Sequence, residues 1–242
     1  MFTKRLNLKN LIVITICLSG ITMFSSCKEK AIEIEEAVLL LKEIERSNGK
    51  RFVYEYDNQD RITKYTEYDA NGQPIWVNTL TYNAQGDLIG YKDNEISIVY
   101  TRNGNKITFV DDEGGNFEIE LNDQGFPVKS TYKWGTWYNS TETFTWQNGN
   151  LTKIEMEDEW NNISETALFT FIYDDKKSPF FNCKTPVWFL ACDGYDIKNN
   201  KITEIEENIS ITYEYTYNDN GFPITRKESG NTITEKYIYT KK

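Results

Sequence analysis

Three groups of carboxylates are the first candidates for chemistry: Asp111-Asp112-Glu113, then Glu155, Glu157, Asp158 and Glu159, then Glu204, Glu206 and Glu207. Two carboxylates facing each other across a cleft can hydrolyse a glycosidic bond. The spacing argues against that use here. Side chains alternate along a strand, so Glu155, Glu157 and Glu159 share one face and read as a solvated edge of sheet. The chain has no histidine. This excludes Ser-His-Asp and Cys-His nucleophile systems and His-ligated zinc or non-haem iron. Asn218-Asp219-Asn220-Gly221 has the oxygen-rich look of a calcium loop. A full loop needs a ligand at Thr216 and a Glu at Lys227, and neither residue serves. The residues therefore imply no catalytic group, no metal and no cofactor, and the protein is expected not to be an enzyme.

Aromatic side chains are the second candidates. Tyr132, Trp134, Trp137 and Trp146 lie near one another in a chain of 242 residues with 16 Tyr and 6 Trp. Tyr132 and Trp134 share a face if their strand is regular. An exposed platform of this kind suits a sugar or a peptide. The competing use is packing on the covered face of a sheet, which is also the expected place of Trp188. A formal charge of −10 gives no basic stripe for phosphates, so nucleic acid is not an expected partner.

The elements that would position these residues begin with an address. Lys4, Arg5 and Lys9 precede an apolar run from Leu11 to Leu18 and from Ile21 to Phe24. The run is too short to span a membrane comfortably and reads as a signal peptide, residues 1–26. Met23-Phe24-Ser25-Ser26-Cys27 resembles a lipoprotein lipobox of the Bacteroidetes type, and Lys28-Glu29-Lys30 loosely resembles an export tag. The resemblance implies cleavage before Cys27, lipidation of that residue, and an outer-membrane location on the periplasmic or cell-surface side. The remaining chain has 24 Lys and Arg against 37 Asp and Glu, a charge of −13. In that oxidising setting Cys183 and Cys192 are expected to form a disulfide, unless a helical turn between them aims the thiols apart. Without histidine, neither is expected to be a catalytic cysteine.

Residues 27–49 are expected to form the lipidated N-terminus and a helix, because Ile34, Val38 and Leu41 fall at helical spacing and Ser47-Asn48-Gly49 supplies a stop. From residue 50 to 242 the pattern is β. The units Tyr56-Asp-Asn-Gln-Asp-Arg-Ile62, Tyr68-Asp-Ala-Asn-Gly-Gln-Pro74, Tyr82-Asn-Ala-Gln-Gly-Asp-Leu88 and Tyr217-Asn-Asp-Asn-Gly-Phe-Pro223 repeat one design. Leu121-Asn-Asp-Gln-Gly-Phe-Pro127 and Trp146-Gln-Asn-Gly-Asn-Leu151 are variants. An aromatic residue ends a strand, Asp or Asn bonds the turn backbone, Gly takes positive φ, and an apolar residue or Pro starts the return strand. Asp60 stands where the first unit would have Gly.

These units resemble the tyrosine-aspartate repeats of Rhs-type shells. They are more similar to a Bacteroidetes lipoprotein family of unknown function described as porin-like in fold, with the likeness running from Phe52 to the C-terminus. That family implies no catalytic residue. The expected fold is mainly β: a single antiparallel up-and-down sheet of roughly fourteen strands, curled or closed as a flattened barrel. The insertion near 178–199, or the N-terminal helix, would plug or cap it. Alternation also fits a transmembrane barrel, but the short turns and lipid anchor favour a tethered sheet in water. The expected function is a non-enzymatic module binding a glycan or a partner protein at the envelope. The alternatives are a structural part of an envelope complex and a carboxylate-dependent glycoside hydrolase.

Overall fold

The computed structural model describes residues 38–161 and 163–242; the signal segment, Cys27 and residues 28–37 lie outside them. Its strands are β1 (Leu39–Arg46), β2 (Arg51–Tyr56), β3 (Ile62–Tyr68), β4 (Pro74–Tyr82), β5 (Leu88–Lys92), β6 (Ser97–Val99), β7 (Thr101–Asn103), β8 (Lys106–Val110), β9 (Asn116–Leu121), β10 (Pro127–Trp134), β11 (Tyr138–Gln147), β12 (Asn150–Trp160), β13 (Ile163–Lys177), β14 (Asn199–Glu206), β15 (Ile209–Tyr217), β16 (Pro223–Glu228) and β17 (Thr234–Lys241). One helix, α1 (Val187–Cys192), interrupts them.

The turns build the fold. Six reversals use the same five-residue loop, starting at Asp57, Asp69, Asn83, Asp111, Asn122 and Asn218. In each, the first side-chain oxygen accepts the N–H groups of the third and fifth residues. At Asn122 these are Gln124 and Phe126, both at 3.0 Å; at Asn218 they are Asn220 and Phe222, both at 3.0 Å. The fourth residue is left-handed. Glycine holds that place in five loops, and Asp60 adopts it at φ 65°. An Asp there costs more than Gly but is tolerated because its short polar side chain bonds locally; Lys242 holds the Asp60 carboxylate in an ion pair. The unit at Trp146 differs, reversing through Asn148 and Gly149, both at positive φ.

Five of the six loops force an extra residue into the ladder; the one at Asp111 does not. The register shifts at Glu55/Tyr56, Glu67/Tyr68, Thr81/Tyr82, Pro127/Lys129 and Thr216/Tyr217. A bulge leaves a carbonyl without a ladder partner. At six bulges a side chain from an adjoining strand takes it. The Tyr82 hydroxyl donates to Ile62 O at 2.8 Å, Tyr239 to Pro223 O at 2.9 Å, Tyr173 to Leu151 O at 2.8 Å, Tyr215 to Lys201 O at 3.0 Å and Tyr56 to Leu41 O at 2.7 Å. The Trp146 indole N–H does the same for Pro127 O at 2.7 Å. Trp146 is thus tied to the backbone of β10, apart from Trp134 and Trp137.

Every ladder is antiparallel, and β17 returns to pair with β1, which also pairs with β2. The sheet therefore curls into a nearly closed barrel of 17 strands. Its one seam is the kink at Tyr100, where β6 pairs back to β5 and β7 forward to β8. The count exceeds the expected fourteen because several turns lack glycine: β5 reaches β6 through Asp93 to Ile96, and β14 reaches β15 past Glu207 at φ 49°.

The expected helix is also corrected over its described part, which is the strand β1. A bulge between Leu41 and Glu43 turns inward spacing from two residues into three, so Leu41 and Ile44 both reach the core and imitate helical periodicity. The insertion between β13 and β14 is the plug. Phe180, Trp188, Phe189 and Leu190 are buried against Leu41, Tyr54, Tyr65, Leu80, Tyr100 and Ile119 of the wall. Each such side chain contributes about 1.5–3 kcal/mol on burial. The outer wall carries charge: Glu155, Glu157 and Glu159 are exposed as expected, with pairs such as Lys64–Glu55 and Lys106–Glu118.

Replacing Tyr173 or Tyr239 by Phe should strand a bulge carbonyl and lower stability by about 1–2 kcal/mol each. The two losses should add, since the bonds lie on different strand pairs. Urea denaturation of the single and double variants checks both statements.

Candidate functional site

The plug does not fill the barrel uniformly. After α1 the chain runs Asp193-Gly194-Tyr195-Asp196, with Gly194 at φ 80° and open space where a Cβ would stand. Between this segment and the wall built by β1–β4 and β14–β17 lies a cavity of about 470 Å³. Aromatic faces dominate it, among them Phe52, Tyr54, Tyr65, Trp76, Tyr91 and Tyr237. The Tyr91 hydroxyl donates to the buried Asn78 at 2.6 Å. A smaller cavity of about 210 Å³ adjoins it, sharing Tyr91 and Asp193.

The charged groups around the larger cavity are arranged in pairs. Glu235 is held by Arg46 Nε at 3.1 Å, Arg226 Nε at 3.0 Å and the Tyr237 hydroxyl at 3.1 Å, and its side chain is only 9% exposed. Arg226 in turn packs 5.0 Å from the Tyr213 ring. Glu67 meets Lys50 at 3.1 Å. Asp196 accepts Lys201 N–H at 2.9 Å, and the Lys201 and Arg226 charges partly offset the upward push of its burial. Asp193 differs. No cation is among the groups that act on it. It keeps solvent access from the cavity, yet the protein around it pushes its carboxyl up to about 6, and hydrogen bonds from Tyr195 and Tyr65 offset only part of that.

The sequence candidates divide. Tyr132, Trp134 and Trp137 do meet, as the end of an aromatic file with at least one ring on every strand from β8 to β12. Phe109, Phe117 and Tyr132 stack at 4.4 and 4.3 Å. The file continues through Tyr138 and Trp160 to Trp137 and Trp134, which pack 4.5 Å apart. Trp160, half exposed, was not signalled by its neighbours in sequence. Trp146 lies elsewhere, against Phe126 at 4.6 Å. Asp111 caps its own turn through Gly115 N–H at 2.6 Å. Asn218 does the same, and neither faces a cleft. The residues that line the cavity escaped sequence reasoning. The only signals were that Glu235 sits on the apolar parity of its strand and that the insertion breaks the repeat.

The cysteines are corrected: Cys183 and Cys192 are both free. Cys183 packs on the core beside Thr185, while Cys192 ends α1 and lines the smaller cavity. Cys183 is half-buried and Cys192 exposed, and the protein around them raises both thiols.

Fold and cavity together define the class: a plugged antiparallel β-barrel with a ligand-sized space inside its wall. No protein-family model matches the chain, and no curated protein matches it. Among solved structures it is similar to a porin-like protein from Bacteroides uniformis, at 15% identity and a TM-score of 0.37, over 83% of this chain and 96% of that one.

Two outcomes follow from these environments. Peptide mapping without reductant should find Cys183 and Cys192 unbridged, and at pH 8 the half-buried Cys183 should alkylate more slowly than after unfolding. Asp193→Asn should stabilise the protein at neutral pH. The native carboxyl binds its proton up to about pH 6, and the unfolded one only to about pH 4. The stability that protonation gives is complete below the lower value and lost as pH rises through the higher. Urea midpoints of the two proteins should coincide near pH 4 and separate above pH 6, with the variant higher.

Proposed function

We propose that this protein is a lipid-anchored, non-enzymatic binding module of the cell envelope that takes a glycan inside its barrel. The observation that carries the reading is the cavity between plug and wall. Its volume falls in the range of ordinary small-ligand sites, about 300–1,000 Å³. Flat aromatic faces suit the apolar faces of sugar rings. Asn78, Glu67 and the Arg46–Glu235–Arg226 group offer donors and acceptors that are already oriented. The anchor rests on the lipobox resemblance at Cys27, and with it the placement at the outer membrane. The half-exposed cluster of Trp134, Trp137 and Trp160 supports a second contact for a longer chain or for a partner protein.

Trp76 is a cavity residue that is half exposed, so its loss should leave the fold intact. Screening the mature protein on a glycan array, followed by calorimetry on the hits, should find a saccharide ligand. Trp76→Ala should weaken that ligand by about tenfold, the scale of one aromatic contact, with an unchanged urea midpoint. No saccharide hit, or a hit indifferent to Trp76, overturns the assignment.

A further inference from the structure

Of the four carboxylates lining the cavity, Asp193 is the one on which no cation acts. Glu235 has two guanidinium groups, Glu67 has Lys50, and Asp196, which makes no ion pair, still feels the Lys201 and Arg226 charges. Tyrosines surround Asp193 instead. The Tyr65 hydroxyl lies 3.4 Å from its Oδ2. Burial raises the phenols of Tyr54, Tyr65, Tyr91, Tyr100 and Tyr195, and the nearby Asp193 charge raises each of them further. The Tyr65 and Tyr195 hydroxyls are hydrogen-bonded to the carboxylate, and no cation acts on it. Such a site repels anions and is suited to a cation, which gains a charge-assisted hydrogen bond. Asp193 also borders both cavities, so a group bound to it has room on either side.

We propose that the Asp193 carboxylate anchors the protonated amine of a ligand in the lumen, beside the hydroxyls of Tyr65 and Tyr195. Resting on the glycan reading above, this names the ligand class as an amine-bearing saccharide. Binding supplies the cation that the fold withholds. An N-acetylated sugar of the same shape has no charge to offer and leaves the carboxylate unpaired.

The test uses the mature full-length protein and three probes in calorimetry at pH 7: a glucosamine trisaccharide, its fully N-acetylated counterpart, and spermidine. The glucosamine trisaccharide should bind at least about tenfold tighter than the acetylated one, the scale of a charge-assisted bond. Asp193→Asn should abolish that difference while keeping the native circular dichroism spectrum. Equal binding of the two trisaccharides, or a preference that survives Asp193→Asn, overturns the amine site and leaves the glycan reading standing. Binding of spermidine alone, lost in Asp193→Asn, keeps the amine site and overturns the glycan reading. Binding of none of the three overturns both.

Discussion

The structure depends on one recurrent hydrogen bond, from an aromatic side chain on one strand to the bulged carbonyl of another. The five-residue loops reverse the chain cheaply because one Asp or Asn oxygen satisfies two backbone donors. Their cost is a register slip on the strand that follows. A bulge coils the sheet more tightly, which a closing barrel requires. It also leaves a carbonyl facing an interior that excludes water. An unsatisfied group there costs about 1–3 kcal/mol. A phenylalanine cannot repair this and a serine cannot reach it. Tyrosine does both tasks, covering the inner face with its ring and ending the orphan carbonyl with its hydroxyl. The hydroxyls of Tyr56, Tyr82, Tyr173, Tyr215 and Tyr239 are therefore part of the backbone's own hydrogen-bond network.

That network explains what could be read from the sequence. The turn chemistry is local, so Asp57, Asp69, Asn83, Asn122 and Asn218 announce themselves together with the aromatic or apolar residue before each. Face alternation is local too, and Glu155, Glu157 and Glu159 were legible as an outer face. Bulges break the same logic. At Leu41 the slip produced a three-residue spacing that imitates a helix, and β1 was concealed by it. Turns without glycine, such as the one past Glu207, concealed whole strands. Trp146 looked like a neighbour of Trp134 because it is close in sequence, but its strand position sends its indole to Pro127.

The cavity was illegible for a different reason. Arg46 and Glu235 are separated by 189 residues and meet only because the last strand closes onto the first. No spacing rule links them. Asp193 belongs to the segment that interrupts the repeat, where periodicity carries no information. What the sequence did carry was the interruption itself. A sheet this regular, broken once by an aromatic segment with two prolines, needs that segment for something the strands cannot do.

Ring width supplies the need. A barrel of this many strands encloses more space than its own inward side chains can fill. The plug restores packing along one side, where Phe180, Trp188, Phe189 and Leu190 bury themselves against the wall. It cannot do so everywhere, because a chain that enters from β13 and leaves to β14 must turn inside the lumen, and a turn exposes polar backbone and favours polar residues. Asp193, Gly194 and Asp196 are that turn. The cavity lies where apolar packing has to stop, against a wall whose inward strand positions include Tyr54, Tyr65 and Tyr237. These are other tyrosines than the ones that cap the bulges, so the barrel's closure and its inner lining are carried by separate residues. The ion pairs of the wall, such as Lys64–Glu55 and Lys106–Glu118, leave the turn of the plug with a carboxylate, Asp193, on which no cation acts.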